Sequence, residues 1–549
     1  MEDDGRRLAD PDEIHDVAIV GVHLASALLG AVLARHGLRV LLVDADADPL
    51  AAAGETTVPY TAEVFFTLAR RFDVPEIAAF GLTRDLPEEI RRGGGVKRSL
   101  GFLYHVPGRE QDPNQAVQFN VPGEHSEWHP YRLTADRHAA AIARSYGART
   151  IRLRPKATDI APRADGVSIV TAHGETYRAR YVVDAAGPDS PLVRHLGGPD
   201  PVARLRTRSR VLSTHMSGVR PFEDCVPMAA YERATAWSTG TISHLFPGGW
   251  LQVVHFDNHA EAATPLCGVT AGVDPELFAD LPKDPDVAFA RLVDRFPALR
   301  RCFAEAVRVQ PWAADERWQR TVPVPAGPRY FLFERSASRN DLFLSRDVTM
   351  GAEMVHALAP ALLDAARRDD WSPERFAPVA GFQTELIAFN DRILAAARTA
   401  THDFALWNAF SRVWLLWSIL AALSLKTTRN RCLHGGDWSD VERFYDGPYW
   451  FALPNGLPDL LDDVFALFEE VEARRLTPAT AAGRVFAALD AAPFVPPLYR
   501  FADPDDRYYH FTRSKRLRML AWSKTVAPPE FRAMLTRENL TNVPPSVVH

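Results

Sequence analysis

Residues 16–44 read DVAIVGVHLASALLGAVLARHGLRVLLVD, and this stretch decides the fold of the first part of the chain. The apolar run Val17–Val20 predicts a strand, and the apolar spacing of Leu24–Arg35 predicts a helix. Gly21 supplies the tight turn between them, and Val40–Val43 predicts a second strand. The stretch therefore predicts a βαβ unit of the kind that binds dinucleotides.

Two features of this unit bear on nucleotide binding in opposite ways. Asp44 lies 23 residues after Gly21, where a carboxylate can accept a hydrogen bond from a ribose hydroxyl. His23, however, occupies the second glycine position of the G-x-G-x-x-G fingerprint, and Ser26 occupies the third. A histidine places a side chain where bare backbone should approach a pyrophosphate. We therefore expect an intact βαβ unit with a weakened nucleotide contact, or one that binds nothing.

Composition narrows the class of protein. The chain has 549 residues, of which 47% are hydrophobic and 24% are charged, with a net charge of −6. These values are ordinary for a globular protein of two or three domains, and they argue against nucleic acid or an anionic membrane as a partner. Four scattered cysteines indicate neither a disulfide framework nor a CxxC zinc site.

Two stretches bear on localisation. The acidic residues 1–13 do not resemble a signal peptide. The longest apolar run, Val413–Leu425, is too short to span a bilayer and predicts a buried helix. We expect a cytoplasmic protein.

The order of predicted elements gives the fold class. We predict an α/β domain of the two-dinucleotide-fold type over residues 1–379, including a β-sheet substrate layer at about 205–280. Residues 380–549 are predicted to form a helical C-terminal region. A predicted strand ends in D-A-A-G at Gly187, a pattern that returns the chain to the nucleotide in two-dinucleotide-fold flavoproteins.

Several motifs in fixed order resemble the flavin-dependent halogenases, in particular those of natural-product pathways. The similarity runs from residue 16 to about residue 426. Its motifs are GETTVP at 54–59, VKRSLGFLYH at 96–105, DAAGPDSPL at 184–192, GGW and FDNH within 248–259, LSR and VHALAPALLDA within 344–365, and DFALWNAFSRVW at 403–414. The resemblance implies reduced FAD as cofactor, hypohalous acid made from oxygen and halide, and a lysine that relays the halogen. Lys97 matches that lysine, although a solvated strand lysine is the simpler interpretation.

The chain departs from the family pattern at several positions. In the W-x-W-x-I-P motif Trp250 is kept, but Gln252 and His255 replace the second tryptophan and the proline. Ser338 and Asp347 replace glycines of the segment that holds the halide. Like charges about 4 Å apart repel by roughly 4 kcal/mol at an effective dielectric near 20, so an aspartate disfavours a halide. The departures predict that halogenation has been lost.

The same departures predict a cofactor site that is vestigial or weak. Its residues would be Gly21, Asp44 and Gly187, disrupted at His23, Ser338 and Asp347. The prediction is that no cofactor is favoured, and that FAD is the cofactor if there is one. A flavin reductase is then a partner only if FAD is used.

A strand pattern suggests what chemistry could remain. Alternate residues of a strand share a face, so His255, Asp257 and His259 are expected to project together, opposite Trp250 and Gln252. Imidazole and carboxylate groups on one face suit general acid–base catalysis, and they also suit a metal site. The third possibility is that these residues hold a loop by hydrogen bonds.

We predict a tailoring enzyme that catalyses a flavin-independent cyclisation, dehydration or isomerisation of a polyketide-like or aromatic intermediate, free or bound to a carrier protein. Its predicted catalytic residues are His255, Asp257 and Lys97, and its predicted substrate contacts are Trp250, Gln252 and His259. A loop cluster of Glu124, His125, Glu127 and His129 suits a solvated surface. Two alternatives stay open: a working FAD-dependent halogenase or monooxygenase, and a non-catalytic protein that binds an intermediate or a partner enzyme.

Overall fold

A computed structural model describes residues 13–44, 54–121, 127–152, 159–171, 174–198, 205–232, 235–443, 456–509 and 512–536. Glu124 and His125 of the predicted loop cluster lie outside these ranges.

The strands, in chain order, are β1 Ile14–Val20, β2 Val40–Asp44, β3 Gly95–Val96, β4 Ser99–Tyr104, β5 Ala116–Asn120, β6 Trp128–His129, β7 Arg149–Arg152, β8 Asp159–Arg163, β9 Gly166–Val170, β10 Thr176–Asp184, β11 Arg210–Ser217, β12 Thr241–Phe246, β13 Gly249–His255, β14 Cys267–Val273, β15 Val307–Arg308, β16 Ala313–Asp315, β17 Arg320–Thr321, β18 Ala326–Gly327, β19 Tyr330–Leu332, β20 Ser338–Arg339 and β21 Tyr508–Tyr509.

The α-helices are α1 Leu24–Arg35, α2 Pro59–Arg71, α3 Glu88–Gly93, α4 Arg132–Ser145, α5 Pro191–His195, α6 Pro285–Asp294, α7 Pro297–Cys302, α8 Asp347–Arg368, α9 Pro373–Ala400, α10 Phe404–Gly435, α11 Ser439–Arg443, α12 Leu457–Glu472, α13 Pro478–Ala491, α14 Arg513–Thr525 and α15 Pro529–Met534. Short 3₁₀ helices lie at Pro75–Gly81, Thr83–Asp85, Pro113–Gln115, Phe222–Asp224, Met228–Ala230, Trp237–Thr239, Glu334–Ser336 and Phe343–Ser345.

The first sheet is the nucleotide-type sheet that the N-terminal stretch predicts. Its order is β18-β19-β10-β1-β2-β7, with β8 and β9 attached beside β10. β1 runs parallel to both β2 and β10, and β10 runs parallel to β19. Every residue of α1 from Leu24 to Ala34 is buried, because this helix packs between the sheet and α4 and α8. The predicted βαβ unit is confirmed.

The second sheet forms the predicted substrate-side layer. Its order is β15-β11-β14-β13-β12-β4-β5-β21, with β16 beside β11. The strands of residues 210–273 form its centre, as the sequence predicts, and β4 and β5 extend it from earlier in the chain. β12 runs parallel to β4, whereas β13 is antiparallel to both β12 and β14. The fold class predicted from the sequence is confirmed.

The C-terminal part is mostly helical and packs against the first part. Among the described residues, one helix, α10, is long and apolar enough to cross a membrane by length and composition. Its apolar window has a mean hydropathy of 1.3, and 83% of that window is buried inside the protein. The apolar run Val413–Leu425 lies within this longer helix, buried as predicted. The predicted domain boundary at 379/380 falls inside α9 and stays a prediction.

Candidate active site

Three predicted cofactor residues lie at one edge of the first sheet. Gly21 follows β1, Asp44 ends β2, and Gly187 follows β10, and these strands are parallel neighbours. Ligands of open α/β sheets bind beyond the carboxyl ends of the strands. The structure thus brings the three residues to the edge where this class of sheet binds dinucleotides, and their contact with a cofactor stays a prediction.

Gly21 makes the turn between β1 and α1 where two chain segments nearly touch. Its φ is +84°, and a Cβ at this position would lie 2.5 Å from the backbone nitrogen of Ala186. Ser26 closes the turn, because its hydroxyl donates to the Gly21 carbonyl at 2.8 Å and accepts from the His23 N–H at 2.9 Å. Ser26 therefore suits the third fingerprint position, as the sequence suggests.

The His23 ring is held by two partners. Its Nε2 lies 3.1 Å from the carbonyl oxygen of Ala185, and its Nδ1 lies 3.1 Å from Oε2 of Glu334. Burial lowers the pKa of His23 to about 3, so the ring is neutral and donates from Nε2. Nδ1 must then accept a hydrogen bond from the protonated carboxyl of Glu334, and burial raises the pKa of that carboxyl to about 8. Neutral histidine and neutral carboxyl thus form one hydrogen-bonded pair.

A cavity of about 810 Å³ lies beside this pair. Its lining includes His23 and Glu334 and three guanidinium groups, those of Arg132, Arg335 and Arg339. Guanidinium groups stay charged and bind phosphate groups well. The cavity is cationic enough to receive a diphosphate group.

Asp347 and Ser338 also line this cavity. Asp347 is the first residue of α8, and burial raises its pKa while Arg335 and Arg132 lower it. The negative charge of Asp347 is therefore partly balanced by two cations that line the same cavity. This arrangement offsets the repulsion that a halide would meet, and the sequence alone did not reveal it.

A second, smaller cavity of about 240 Å³ is lined by Lys97. Its other polar lining groups include Gln252 and Ser345, and Phe102 and Trp414 are among its apolar walls. Lys97 is 2% exposed, so the simpler interpretation as a solvated strand lysine is wrong. The structure places the lysine where a ligand in this cavity can reach it.

Lys97 is held by a buried ion pair. Its Nζ lies 2.7 Å from Oε2 of Glu127 and also donates to the carbonyl oxygen of Thr57. Burial lowers the pKa of Lys97, and Glu127 partly offsets that effect. The two-residue strands β3 and β6 bring the pair together, since Val96 pairs with Trp128. Glu127 itself is anchored, because its backbone carbonyl accepts from the Thr83 hydroxyl at 2.8 Å.

The predicted solvated loop cluster is wrong for its described members. Glu127 is 2% exposed and pairs with Lys97, and His129 is fully buried with Nε2 3.0 Å from the Thr241 hydroxyl. The run of acids and histidines predicts a surface loop, but the β3–β6 pairing folds it against the segment that carries Lys97.

One loop, residues 342–347, divides the two cavities. Leu342 and Asp347 line the larger cavity, whereas Leu344 and Ser345 line the smaller one. Leu344 and Ser345 have φ values of 62° and 54°, a conformation that costs non-glycine residues on the order of 1–3 kcal/mol each. Such strain concentrates at functional sites.

Aromatic packing holds this dividing loop in place. Phe343 stacks between Trp250, with ring centroids 5.0 Å apart, and Trp407, at 5.3 Å. Gln252 accepts from the Ser345 hydroxyl at 3.2 Å. Trp250 therefore supports the wall from inside the core, and Gln252 faces the smaller cavity. The sequence named both residues but gave no sign of Phe343.

The predicted H-x-D-x-H face does not form as a unit. β13 ends at His255, and His259 Nε2 lies 3.0 Å from the Gly94 carbonyl oxygen. Asn258 donates from Nδ2 to the Val96 carbonyl at 2.8 Å, which supports the loop-holding interpretation. Neither His255 nor Asp257 lines either of the two cavities described above. Their assignment as catalytic residues stays a prediction without geometric support.

The fold is that of the two-dinucleotide-fold class. No protein-family model matches the chain. The chain is 32% identical over 530 residues to the tetracycline 7-halogenase of Kitasatospora aureofaciens, covering 95% of each chain. It is 31% identical over 531 residues to monodechloroaminopyrrolnitrin halogenase PrnC of Pseudomonas fluorescens, covering 94% of this chain and 93% of PrnC.

Solved structures agree with these relatives. The crystal structure of halogenase PltM in complex with phloroglucinol and FAD has a TM-score of 0.83 and 27% identity, covering 90% of this chain and 99% of PltM. The halogenase CmlS, at 18% identity and a TM-score of 0.53, shares the fold. The chain belongs to the flavin-dependent halogenases of natural-product biosynthesis.

These findings correct the function predicted from the sequence. The prediction that halogenation has been lost is wrong, because relatives that match nearly the whole chain are halogenases. The predictions of cyclase-type chemistry and of a degraded cofactor site have no support. The prediction that favours no cofactor is also unsupported, since the similar halogenase PltM is an FAD complex. The electrostatic prediction treats Asp347 alone, whereas Arg132, which is distant in sequence, and the nearer Arg335 also act on its carboxyl.

Proposed function

We propose that this chain is an FAD-dependent halogenase that acts on a small, electron-rich aromatic intermediate. The single observation that carries the proposal is the buried Lys97 in a small cavity, divided by one loop from a large cationic cavity. That arrangement separates a cofactor from a substrate and leaves one amine on the substrate side.

The residues of the larger cavity fit FAD by charge. Arg132, Arg335 and Arg339 can balance a diphosphate, and the His23 ring is held by Ala185 and Glu334. Neutral His23 and neutral Glu334 add no negative charge to the cavity near pH 7. When bound, reduced FAD supplies, with oxygen and halide, the electrophilic halogen that halogenation requires.

The chain's own contribution is to position Lys97 and to keep two ligands apart. The Lys97 Nζ hydrogen bonds to Glu127 and Thr57 fix the amine in the smaller cavity. Burial lowers the pKa of Lys97, so a larger fraction of the amine is neutral and nucleophilic. The loop with Leu344 and Ser345 keeps the aromatic substrate from the cofactor side.

The residues that line the smaller cavity suit an aromatic substrate. Phe102 and Trp414 offer apolar walls, and Gln252 and Ser345 offer hydrogen bonds to a ring hydroxyl. A larger intermediate would place only its reacting ring here. The partners of this chain would be a flavin reductase and an intermediate, either free or bound to a carrier protein, in the cytoplasm.

The test is turnover with a defined probe. We expect the chain, supplied with FAD, a flavin reductase, NADH, oxygen and bromide, to brominate phloroglucinol, as read by mass spectrometry. Omission of the chain or of bromide should remove the product. A hydroxylated product without bromine would instead identify a monooxygenase and contradict the proposal, as would FAD binding without any halogenated product from a panel of phenols and pyrroles.

Arg335→Met is expected to weaken FAD binding by about 10- to 100-fold. A hydrogen bond to a charged group contributes roughly 1.5–3 kcal/mol, and Arg335 lines the cationic cavity. Flavin fluorescence titration measures the Kd. Arg291→Met, which removes an exposed arginine outside both cavities, should leave the Kd unchanged. Equal Kd values for the two variants would contradict the placement of the diphosphate.

FAD affinity is expected to fall by about tenfold as the pH rises through about 8. The pKa of Glu334 is about 8, so this carboxyl becomes an anion that repels the diphosphate. Like charges repel by about 4 kcal/mol at 4 Å with an effective dielectric near 20, and by less at longer range, so we expect a loss of about 1.4 kcal/mol, which is tenfold. Glu334→Gln should give a Kd that does not change between pH 7 and pH 9.

The same ionisation has a defined sign for stability. A carboxyl whose folded pKa is raised favours the folded state at low pH, and that contribution is lost as the pH rises from about 4.5 to 8. Glu334→Gln should therefore flatten the decline of the free energy of unfolding over this range. An unchanged decline, together with an unchanged Kd profile, would contradict the assignment of Glu334.

A further inference from the structure

Three potential metal ligands meet at one end of the second sheet. His255 ends β13, Cys267 begins β14, and the two residues are direct partners across the strands. The Sγ of Cys267 lies 3.1 Å from Nδ1 of His255, and Oδ1 of Asp257 lies 3.6 Å from the same nitrogen. The three ligand atoms all lie within 4.8 Å of one another. Among the described residues, this is the one such group of three.

The geometry does not suit a nucleophile relay. In a Cys-His-Asp relay the thiol and the carboxylate contact opposite ring nitrogens, so that one nitrogen takes a proton while the other is oriented. Here both groups converge on Nδ1 of His255. Convergence of three donors on one point is instead what a cation requires.

We propose that His255, Asp257 and Cys267 bind a divalent cation of the Zn²⁺ type. Zinc lies about 2.3 Å from sulfur, about 2.0–2.1 Å from imidazole nitrogen and about 2.0–2.2 Å from carboxylate oxygen. With the observed separations, these bond lengths give N–Zn–S and N–Zn–O angles of about 90° and 120°. These two angles lie on either side of the tetrahedral value.

The donor set and its exposure agree with a borderline-soft cation. Thiolate and imidazole favour zinc over magnesium or calcium, which prefer oxygen ligands. His255 and Cys267 are 3% exposed, whereas the Asp257 side chain is 53% exposed, so water can occupy the fourth position on that side. On binding, the Cys267 thiol releases its proton to solvent, and the three side chains replace water molecules bound to the cation.

A cation here would stabilise β3, which immediately precedes Lys97. Asn258, next to Asp257, donates from Nδ2 to the Val96 carbonyl at 2.8 Å and accepts from the Val96 N–H at 2.9 Å. Val96 immediately precedes Lys97 in the chain. A metal that holds Asp257 therefore restricts the segment that fixes the lysine strand. The sequence pattern H-x-D-x-H suggested two of the ligands, but the third comes from the neighbouring strand.

The test uses the full chain stripped with a chelator and titrated with Zn²⁺ or Co²⁺ alone. We expect one equivalent of Zn²⁺ to bind and to raise the melting temperature. Co²⁺ should show a thiolate-to-cobalt charge-transfer band in the near ultraviolet together with visible bands of a low-symmetry site. Cys267→Ser should remove the charge-transfer band. The control variant Cys432→Ser, which removes another buried thiol, should leave the band unchanged.

A second variant keeps the test independent of folding. Asp257→Asn changes an exposed side chain and should weaken Zn²⁺ binding by at least about tenfold, since even loss of an outer partner costs about 10- to 100-fold. The proposal is overturned if the stripped chain binds no Zn²⁺, or if Asp257→Asn and Cys267→Ser bind it as the unaltered chain does. Rapid His255-dependent alkylation of Cys267 in metal-free protein would also overturn it, by identifying a nucleophile.

Discussion

Lys97→Met is expected to reduce halogenation by about 10³-fold or more while FAD binding is unchanged. The variant keeps the length of the side chain but removes the only part that reacts, the Nζ that lies in the smaller cavity. Loss of a positioned catalytic group costs about 10²–10⁴-fold in rate. Product formation by mass spectrometry and FAD titration measure the two effects separately.

Two controls separate catalysis from folding in this experiment. Methionine at residue 97 leaves Glu127 buried without its cation, which destabilises a protein by roughly 3–5 kcal/mol unless the acid is neutral. Lys97→Met combined with Glu127→Gln removes that charge and should be equally inactive but more stable. Lys426→Met replaces another buried lysine outside both cavities and should keep activity. Activity of Lys97→Met near that of Lys426→Met would refute the assigned role.

Gly21→Ala is expected to cost about 3 kcal/mol or more in the free energy of unfolding. Alanine at a φ of +84° costs about 1–2 kcal/mol, and its Cβ would stand 2.5 Å from the Ala186 nitrogen. Because that neighbour is backbone, β1 and β10 must separate at the cofactor edge. Denaturant unfolding measures the change.

Gly37→Ala is the matched control for this prediction. Gly37 has a φ of +87°, almost the same as Gly21, but a Cβ there would meet nothing within 4 Å. It should therefore lose only the conformational cost of about 1–2 kcal/mol. If both variants lose the same free energy of unfolding, the close approach of the chain at Gly21 does not contribute to the cost of the substitution.

The fold was predictable because its signals are local. The periodicity of residues 16–44 predicted β1, α1 and β2 with nearly the observed bounds. The apolar pattern predicts too short a helix for α10, because the apolar run stops at Lys426 whereas the helix continues to Gly435. Lys426 and Arg429 are buried in that continuation, and an apolar pattern does not detect buried charges.

The site was predictable only where a single residue belongs to a recognisable motif. The motif at residues 96–105 identifies Lys97, whereas the local sequence around its partner Glu127 predicts an exposed loop. Thirty residues separate the pair in the chain, and strands of two residues each bring them together. The local sequence shows the negative charge of Asp347 but not its surroundings. The effect of that charge on a halide depends on Arg132 and Arg335, which line the same cavity from other elements. Long-range neighbours of a charge are not visible in a local pattern.

The most direct test of this account is titration of the full chain with FAD, followed by the quenching of flavin fluorescence. We predict saturable one-to-one binding with a Kd of roughly micromolar order or tighter, weakened in Arg335→Met but unchanged in Lys97→Met. Absence of saturable binding, or binding that Arg335→Met does not alter, would contradict the assignment of the larger cavity to FAD.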